Sequence, residues 1–275
     1  MKKKWLYMLL VPGLSMIILF LVIPLIYTIG STFIGGEGLT FEKYVSFFTD
    51  AYYLQIFNRT LKIALITSII SMILGMPVAY YISRSNKNIR GIMIACTVFP
   101  LLTNSVVRSF AWMTILGKNG IINELLMNLH VISQPIKLLY TEFAIIIGTV
   151  YLFLPLMVVS LVGVMENIGD DLLEAAESLG ANKLTAFFKI VFPLSVPGLI
   201  VGSVLVFTGA LTAYTTPQLL GGNTNTVLAT LIYQKAMTLG DWTGASVVAT
   251  IMIVTTLTVI FVINKLASKL NERGV

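Results

Sequence analysis

The chain has 275 residues, 57% hydrophobic and 11% charged, with a mean hydropathy of +0.91. Soluble domains carry about 25% charged residues, so there is too little charge here to cover a globular surface, and a soluble enzyme is excluded. The 18 Lys plus Arg and 12 Asp plus Glu bunch between long neutral intervals, which is the pattern of a polytopic membrane protein.

Those intervals run from Trp5 to Gly36, Ile63 to Ser83, Gly91 to Val107, Phe143 to Met165, Ile190 to Gln234 and Trp242 to Asn264. A helix crosses the hydrocarbon core in about 20 residues. Six transmembrane helices are therefore predicted, at about 6–34, 62–83, 91–116, 143–165, 197–216 and 243–264, within a single all-α membrane domain covering 1–275. The first follows Lys2, Lys3 and Lys4 and stays uncharged to Gly36 without a small-residue cleavage pattern, so it reads as a retained helix rather than a signal peptide. Pro12, Pro24, Pro77, Pro100 and Pro155 each remove a helical hydrogen bond, and kinks are expected there. The third helix reaches spanning length only if Arg108 lies within it.

Between the spans, Ile121 to Leu129 reads as a short interfacial helix. The polar tail from Thr215 through Thr226 reads as a loop, since lipid does not accept exposed irregular backbone. Eleven basic residues (Lys2, Lys3, Lys4, Arg84, Lys87, Arg90, Lys183, Lys189, Lys265, Lys269 and Arg273) gather on one side. Seven (Lys43, Arg59, Lys62, Arg108, Lys118, Lys137 and Lys235) fall on the other. The positive-inside rule then puts both termini in the cytoplasm. Cys96 sits in an apolar run and His130 in a polar loop. Neither has partners at metal-ligand spacing, so no metal and no catalytic group is expected.

The cytoplasmic segment 166–193 has its own organisation. Asp171 and Glu174 stand three apart like a capping box, acids cluster in the first turn, and Leu172, Ala176 and Leu179 fall on one helical face. Gly180 supplies a C-cap, and Asn182 starts a second helix with Leu184, Phe187, Phe188 and Val191, ending at Pro193. Periodicity alone is equally that of a solvated amphipathic loop.

Glu174-Ala175-Ala176, Gly180 after three residues, then Ile190 and Pro193, resemble the E-A-A-x-x-x-G-x9-I-x-L-P signature of ATP-binding-cassette (ABC) importer permeases, with Phe192 in place of the leucine. The resemblance implies the type I importer permease fold and a coupling helix that docks on a cytoplasmic ATPase, with Glu174, Ala175, Ala176, Gly180, Ile190 and Pro193 as its signature residues. The implied partners are a second permease, identical or paralogous, two ATP-binding-cassette ATPases and an extracytoplasmic solute-binding protein. No cofactor is expected on this chain, which lacks G-x-x-x-x-G-K-[ST]; ATP belongs to the partner subunit.

The stretches Pro100 to Arg108 and Leu219-Leu220-Gly221-Gly222 are similar to those of spermidine/putrescine permeases, although importers of opines or aminophosphonates share parts of them. A polycation route calls for carboxylates or aromatic faces, yet the predicted spans hold no acid and a single base, Arg108. That arginine either snorkels outward or pairs with a partner's carboxylate, or it gates the substrate. Candidate pathway residues are Asn104, Arg108, Trp112, Tyr151, Tyr214 and Gln218; Arg108 with Trp112, and Tyr214 with Gln218, are four apart and share helical faces. An ion-gradient-driven transporter is the alternative of another class, but it calls for ionisable groups at the midplane that these spans lack.

Overall fold

The computed structural model describes residues 3–35 and 38–271. The first apolar helix runs as α1 (Lys3–Ile17), a π-turn (Ile18–Val22) and α2 (Ile23–Thr32), with Pro24 directly after the π-turn. A two-residue antiparallel ladder, β1 (Ile34–Gly35) on β2 (Gly38–Leu39), is a small addition to the all-α expectation. Then come α3 (Glu42–Thr49), α4 (Ala51–Ser83), α5 (Lys87–Leu102), α6 (Ser105–Leu116) and α7 (Ile121–Asn128). Next are α8 (Glu142–Met165), α9 (Asp170–Ser178) and α10 (Lys183–Ala186), which continues through a π-turn (Phe187–Val191) into α11 (Phe192–Leu194). The chain closes with α12 (Val196–Thr212), α13 (Thr215–Gly221), α14 (Leu228–Tyr233), a π-turn (Gln234–Thr238) and α15 (Trp242–Asn271).

Among the described residues, four helices are long and apolar enough to cross a membrane: Leu10–Thr32, Ala51–Ser83, Glu142–Met165 and Trp242–Lys265. Two further helix pairs are long and apolar enough only when taken together and are bent, Lys87–Leu102 with Ser105–Asn128 at 93° and Lys183–Leu194 with Val196–Thr212 at 65°, which makes up to six spans if each pair is one. The expected continuous helix 91–116 is therefore corrected. Thr103 is extended, and Asn104 starts α6 afresh by accepting from the backbone N–H groups of Val106 and Val107 at 2.9 and 3.3 Å. The helix expected at 197–216 ends at Thr212, because Ala213 is extended. By contrast α4 and α8 stay helical through Pro77 and Pro155.

The chain divides into two compact units. The first comprises 1–55 with 231–253, the second 56–230 with 254–275. In the first, Phe33 stacks on Tyr44, and Phe47 on Tyr53, at centroid distances of 5.2 and 5.3 Å.

In the second, α4, α8 and α12 pack through small residues. Membrane helices lack a hydrophobic drive towards one another, so close van der Waals approach between small side chains holds them. The buried stripe of α4 is Thr60, Ala64, Thr67, Ser71, Gly75 and Ala79. A Cβ at Gly75 would lie 2.8 Å from Met157 Cγ, and one at Gly202 2.6 Å from Met157 Sδ, so Met157 fills the space that two glycines leave. The hydroxyls of Thr67 and Thr149 share a buried hydrogen bond of 2.9 Å between α4 and α8. This packed layer carries both candidate regions.

Candidate coupling loop and membrane pathway

The loop 166–193 is a helix–turn–helix. The capping-box expectation is corrected: the N-cap of α9 is Gly169, and Asp170 and Asp171 lie in the first helical turn, where the dipole favours their charge. The C-terminal expectation holds in detail. Gly180 has φ +87, its N–H donates to Glu177 O at 2.9 Å, and Ala181 N–H donates to Ala176 O at 3.0 Å. Together these bonds make a complete Schellman motif. Asn182 then caps α10 by accepting from Thr185 N–H at 2.8 Å. The second helix does not stop at Pro193: the π-turn ahead of it accommodates the missing N–H, and the chain bends only at Ser195.

The apolar face of α9 also differs from the periodic reading. Leu173 packs on the core of Met157, Leu161 and Met165, whereas Leu172 and Leu179 are 42% and 90% exposed. Glu174 and Ala175 are exposed and Ala176 half-buried. Leu184 on α10 is 71% exposed. Ile190 and Pro193 are half-buried in the returning limb. The loop thus presents leucines outward next to a charged side chain and a small one, a surface suited to another protein rather than to its own core.

Two basic residues hold this loop, and sequence reasoning counted them only towards topology. Arg84, just after α4, donates to Asp170 and to the Ile168 carbonyl, and Arg90 on α5 donates to Glu166. Partners about 80 residues apart leave no local signal.

On the membrane side, Arg108 and Trp112 line one cavity of about 240 Å³ with Thr103, Val107, Ala111, Ile115 and Tyr151. The Trp112 and Tyr151 rings meet edge to face at 5.6 Å. Arg108 is buried and turned onto its own chain: Nη1 donates to Pro100 O at 2.7 Å and to Thr103 O and Oγ1, both at 3.3 Å. It therefore satisfies carbonyls released where α5 ends, a place where the helix dipole also favours a cation. Asn104 is the cap of α6 and does not line this cavity.

Tyr214 and Gln218 sit together on α13, with Gln218 N–H donating to Tyr214 O at 3.0 Å, but outside the cavity lining. The half-helix α13 packs on α6 and α8. Its seat explains the Gly221-Gly222 pair. Ile145 stands 2.6 Å from a Cβ at Gly221, and Gly222 has φ +62 with the Tyr140 ring 2.9 Å from its would-be Cβ. Tyr140 itself has φ +60; its N–H donates to Leu220 O at 2.9 Å, and its carbonyl accepts from Asn225 Nδ2 at 2.9 Å.

The acid at the start of the span Glu142–Met165 is paired. Glu142, at the first turn of α8, accepts from Arg59 Nε at 3.1 Å and Lys62 Nζ at 2.8 Å. In the first unit, Lys43, Tyr53, Lys235 and Asp241 line a cavity of about 280 Å³. Asp241 accepts from Gly244 N–H at 2.7 Å, capping α15, and from Lys235 Nζ at 3.0 Å. The Gly244 bond and Lys235 hold the Asp241 carboxyl below its ordinary value, against the opposing effect of burial. Burial works against the charge of Lys235 as well, but bonds to Asp241 and Tyr53 raise it above its ordinary value. Among the described residues no group of His, Cys, Asp and Glu is placed to hold a metal ion.

The family of binding-protein-dependent transport system inner membrane components matches residues 65–271. Among curated proteins, the chain is 32% identical over 266 residues to the spermidine/putrescine transport system permease protein PotB of Haemophilus influenzae, covering 94% of this chain and 93% of that one. It is 34% identical over 246 residues to PotB of Escherichia coli, covering 86% and 89%. Among solved structures, a bacterial alginate ABC transporter in complex with alginate pentasaccharide-bound periplasmic protein aligns at a TM-score of 0.81 and 19% identity, over 100% of this chain and 98% of that one. The fold is that of type I ABC importer permeases.

Proposed function

This chain belongs to the family of binding-protein-dependent transport system inner membrane components, and from that premise we propose that it carries polyamines, spermidine or putrescine, across the membrane as one half of an ATP-driven importer. It acts with a second permease subunit, two cytoplasmic ATPases that bind and hydrolyse the ATP, and an external solute-binding protein. Both termini and the loop 166–193 face the cytoplasm.

The observation that carries the coupling role is the outward apolar face of Leu172, Leu179 and Leu184 on a rigid Schellman-capped turn. Glu174 offers a charge-assisted contact at its edge, and Ala175 and Ala176 let a partner's backbone approach. Gly180 makes the turn, and Ile190 and Pro193 carry the returning limb into the bundle. A knob so constructed passes motion to the helices without a covalent link.

The substrate assignment rests on relatives 32–34% identical over most of the chain. The side chains qualify how a polycation is met. Glu142 is already paired, so this subunit offers the aromatic faces of Trp112 and Tyr151, with Tyr214 and Gln218 on the neighbouring half-helix and Asn104 and Arg108 framing the break. Full carboxylate compensation comes from the partners. Uptake of labelled spermidine by cells carrying or lacking the chain tests this, with putrescine and an aminophosphonate as competitors. Competition by putrescine alone is expected; a deletion strain with unchanged polyamine uptake removes the substrate assignment.

A further inference from the structure

A coupling loop delivers force only if something ties it to the helices it must move. In the second unit that tie consists of two guanidinium groups. Arg84 Nη1 donates to Asp170 at the start of α9 and to the Ile168 carbonyl at 2.8 Å. Its guanidinium carbon lies 5.7 Å from the centre of the Tyr80 ring, and Tyr80 meets Phe187 edge to face at 5.1 Å. Through these contacts Arg84 at the end of α4 holds the outgoing limb directly and the returning limb by way of Tyr80. Arg90 Nη1 donates to Glu166 at 2.9 Å, at the end of α8, while its Nη2 donates to the Ser83 carbonyl at 2.8 Å, at the end of α4.

Both side chains are half-buried, with relative exposures of 21% for Arg84 and 28% for Arg90. Arg84 Nε and Nη2 and Arg90 Nε are buried without a hydrogen-bond partner. Unpartnered buried donors cost stability, so these arginines are poorly explained as devices for stability alone. Their planar forks bridge two elements at once, which a lysine's single ammonium does not reproduce.

Resting on the ATP-driven import proposed above, we propose that Arg84 and Arg90 are positioning residues that clamp the coupling loop to the ends of α4, α5 and α8, converting displacement of α9 into movement of the bundle. The test uses the complete complex in proteoliposomes, with spermidine as the probe, reading uptake and phosphate release in the same vesicles. Arg84→Gln and Arg90→Gln are expected to co-purify with the ATPase while uptake per ATP hydrolysed falls at least about fivefold, the low end of typical coupling between sites. Glu166→Gln, which removes the charged acceptor of Arg90 and leaves the arginine in place, is expected to lower the ratio in the same direction. A wild-type ratio in both arginine variants of an active complex overturns the clamp, as does a loss that merely tracks missing ATPase or a wild-type ratio in Glu166→Gln. A wild-type complex without ATP-driven uptake overturns instead the transport reading beneath it.

Discussion

Arg108 donates from Nη1 to the carbonyl oxygen of Pro100 at 2.7 Å, across the right-angled break between α5 and α6. The one base expected within a span is therefore a cap for a broken helix. Arg108→Leu leaves the half-buried Thr103 carbonyl without its donor, while the Pro100 carbonyl keeps only the bond from Thr103 Oγ1 at 2.8 Å, at a cost of about 1–3 kcal/mol. The expected result is a lower thermal midpoint in detergent together with lower uptake, and Arg108→Lys retains part of both. A gate that repels cations gives the opposite sign in transport, with faster uptake on removing the charge.

Gly180 combines φ +87 with open space around its Cβ position. The cost of Gly180→Ala is therefore conformational, about 1–2 kcal/mol for a left-handed L-residue, and Gly180→Asn, which tolerates that region, costs less. Both variants are expected to keep the ATPase bound on co-purification and to lower uptake in that order of severity.

Gly222 and Tyr140 form the opposite case, with both residues at positive φ and in contact. Gly222→Ala adds a methyl group 2.9 Å from the Tyr140 ring and is expected to destabilise strongly. The double variant Tyr140→Gly with Gly222→Ala is expected to cost less than the sum of the singles, because the clash and one strained φ vanish together. Melting of all four proteins in detergent measures the coupling.

The Lys235–Asp241 pair sets a pH window. Asp241 titrates below its ordinary value in the folded protein, so its contribution is complete above the unfolded value and is lost as pH falls through the folded one. Lys235 titrates above its ordinary value, so its contribution is complete below the unfolded value and is lost as pH rises through the folded one. The gap in thermal midpoint between wild type and Asp241→Asn is expected to be flat from about pH 5 to 9 and to close in acid. A gap that grows in acid contradicts the pairing.

What the sequence made legible was local or compositional. The neutral intervals marked the apolar helices because lipid excludes charge, and Gly180 and Asn182 marked their turns because capping is chemistry within a few residues. The break at Thr103 carried a local signal too, in Pro100 and the capping type of Asn104, but span length outweighed it. Arg84 with Asp170, Arg90 with Glu166 and Arg59 with Glu142 join residues more than 70 positions apart, which no periodicity reports. Periodicity put Leu172, Ala176 and Leu179 on one face but left its direction open, because an amphipathic pattern does not say which protein covers it.

On the proposed function, ATP hydrolysis on a partner drives a polyamine through this bundle by way of the Gly180 turn. The direct measurement is ATP-dependent spermidine uptake by proteoliposomes containing the full complex, with wild-type chain or Gly180→Asp. Uptake is expected to require ATP in the wild type, and an assembled Gly180→Asp complex to transport little. Uptake that persists without ATP and collapses with a protonophore, or normal transport by Gly180→Asp, contradicts it.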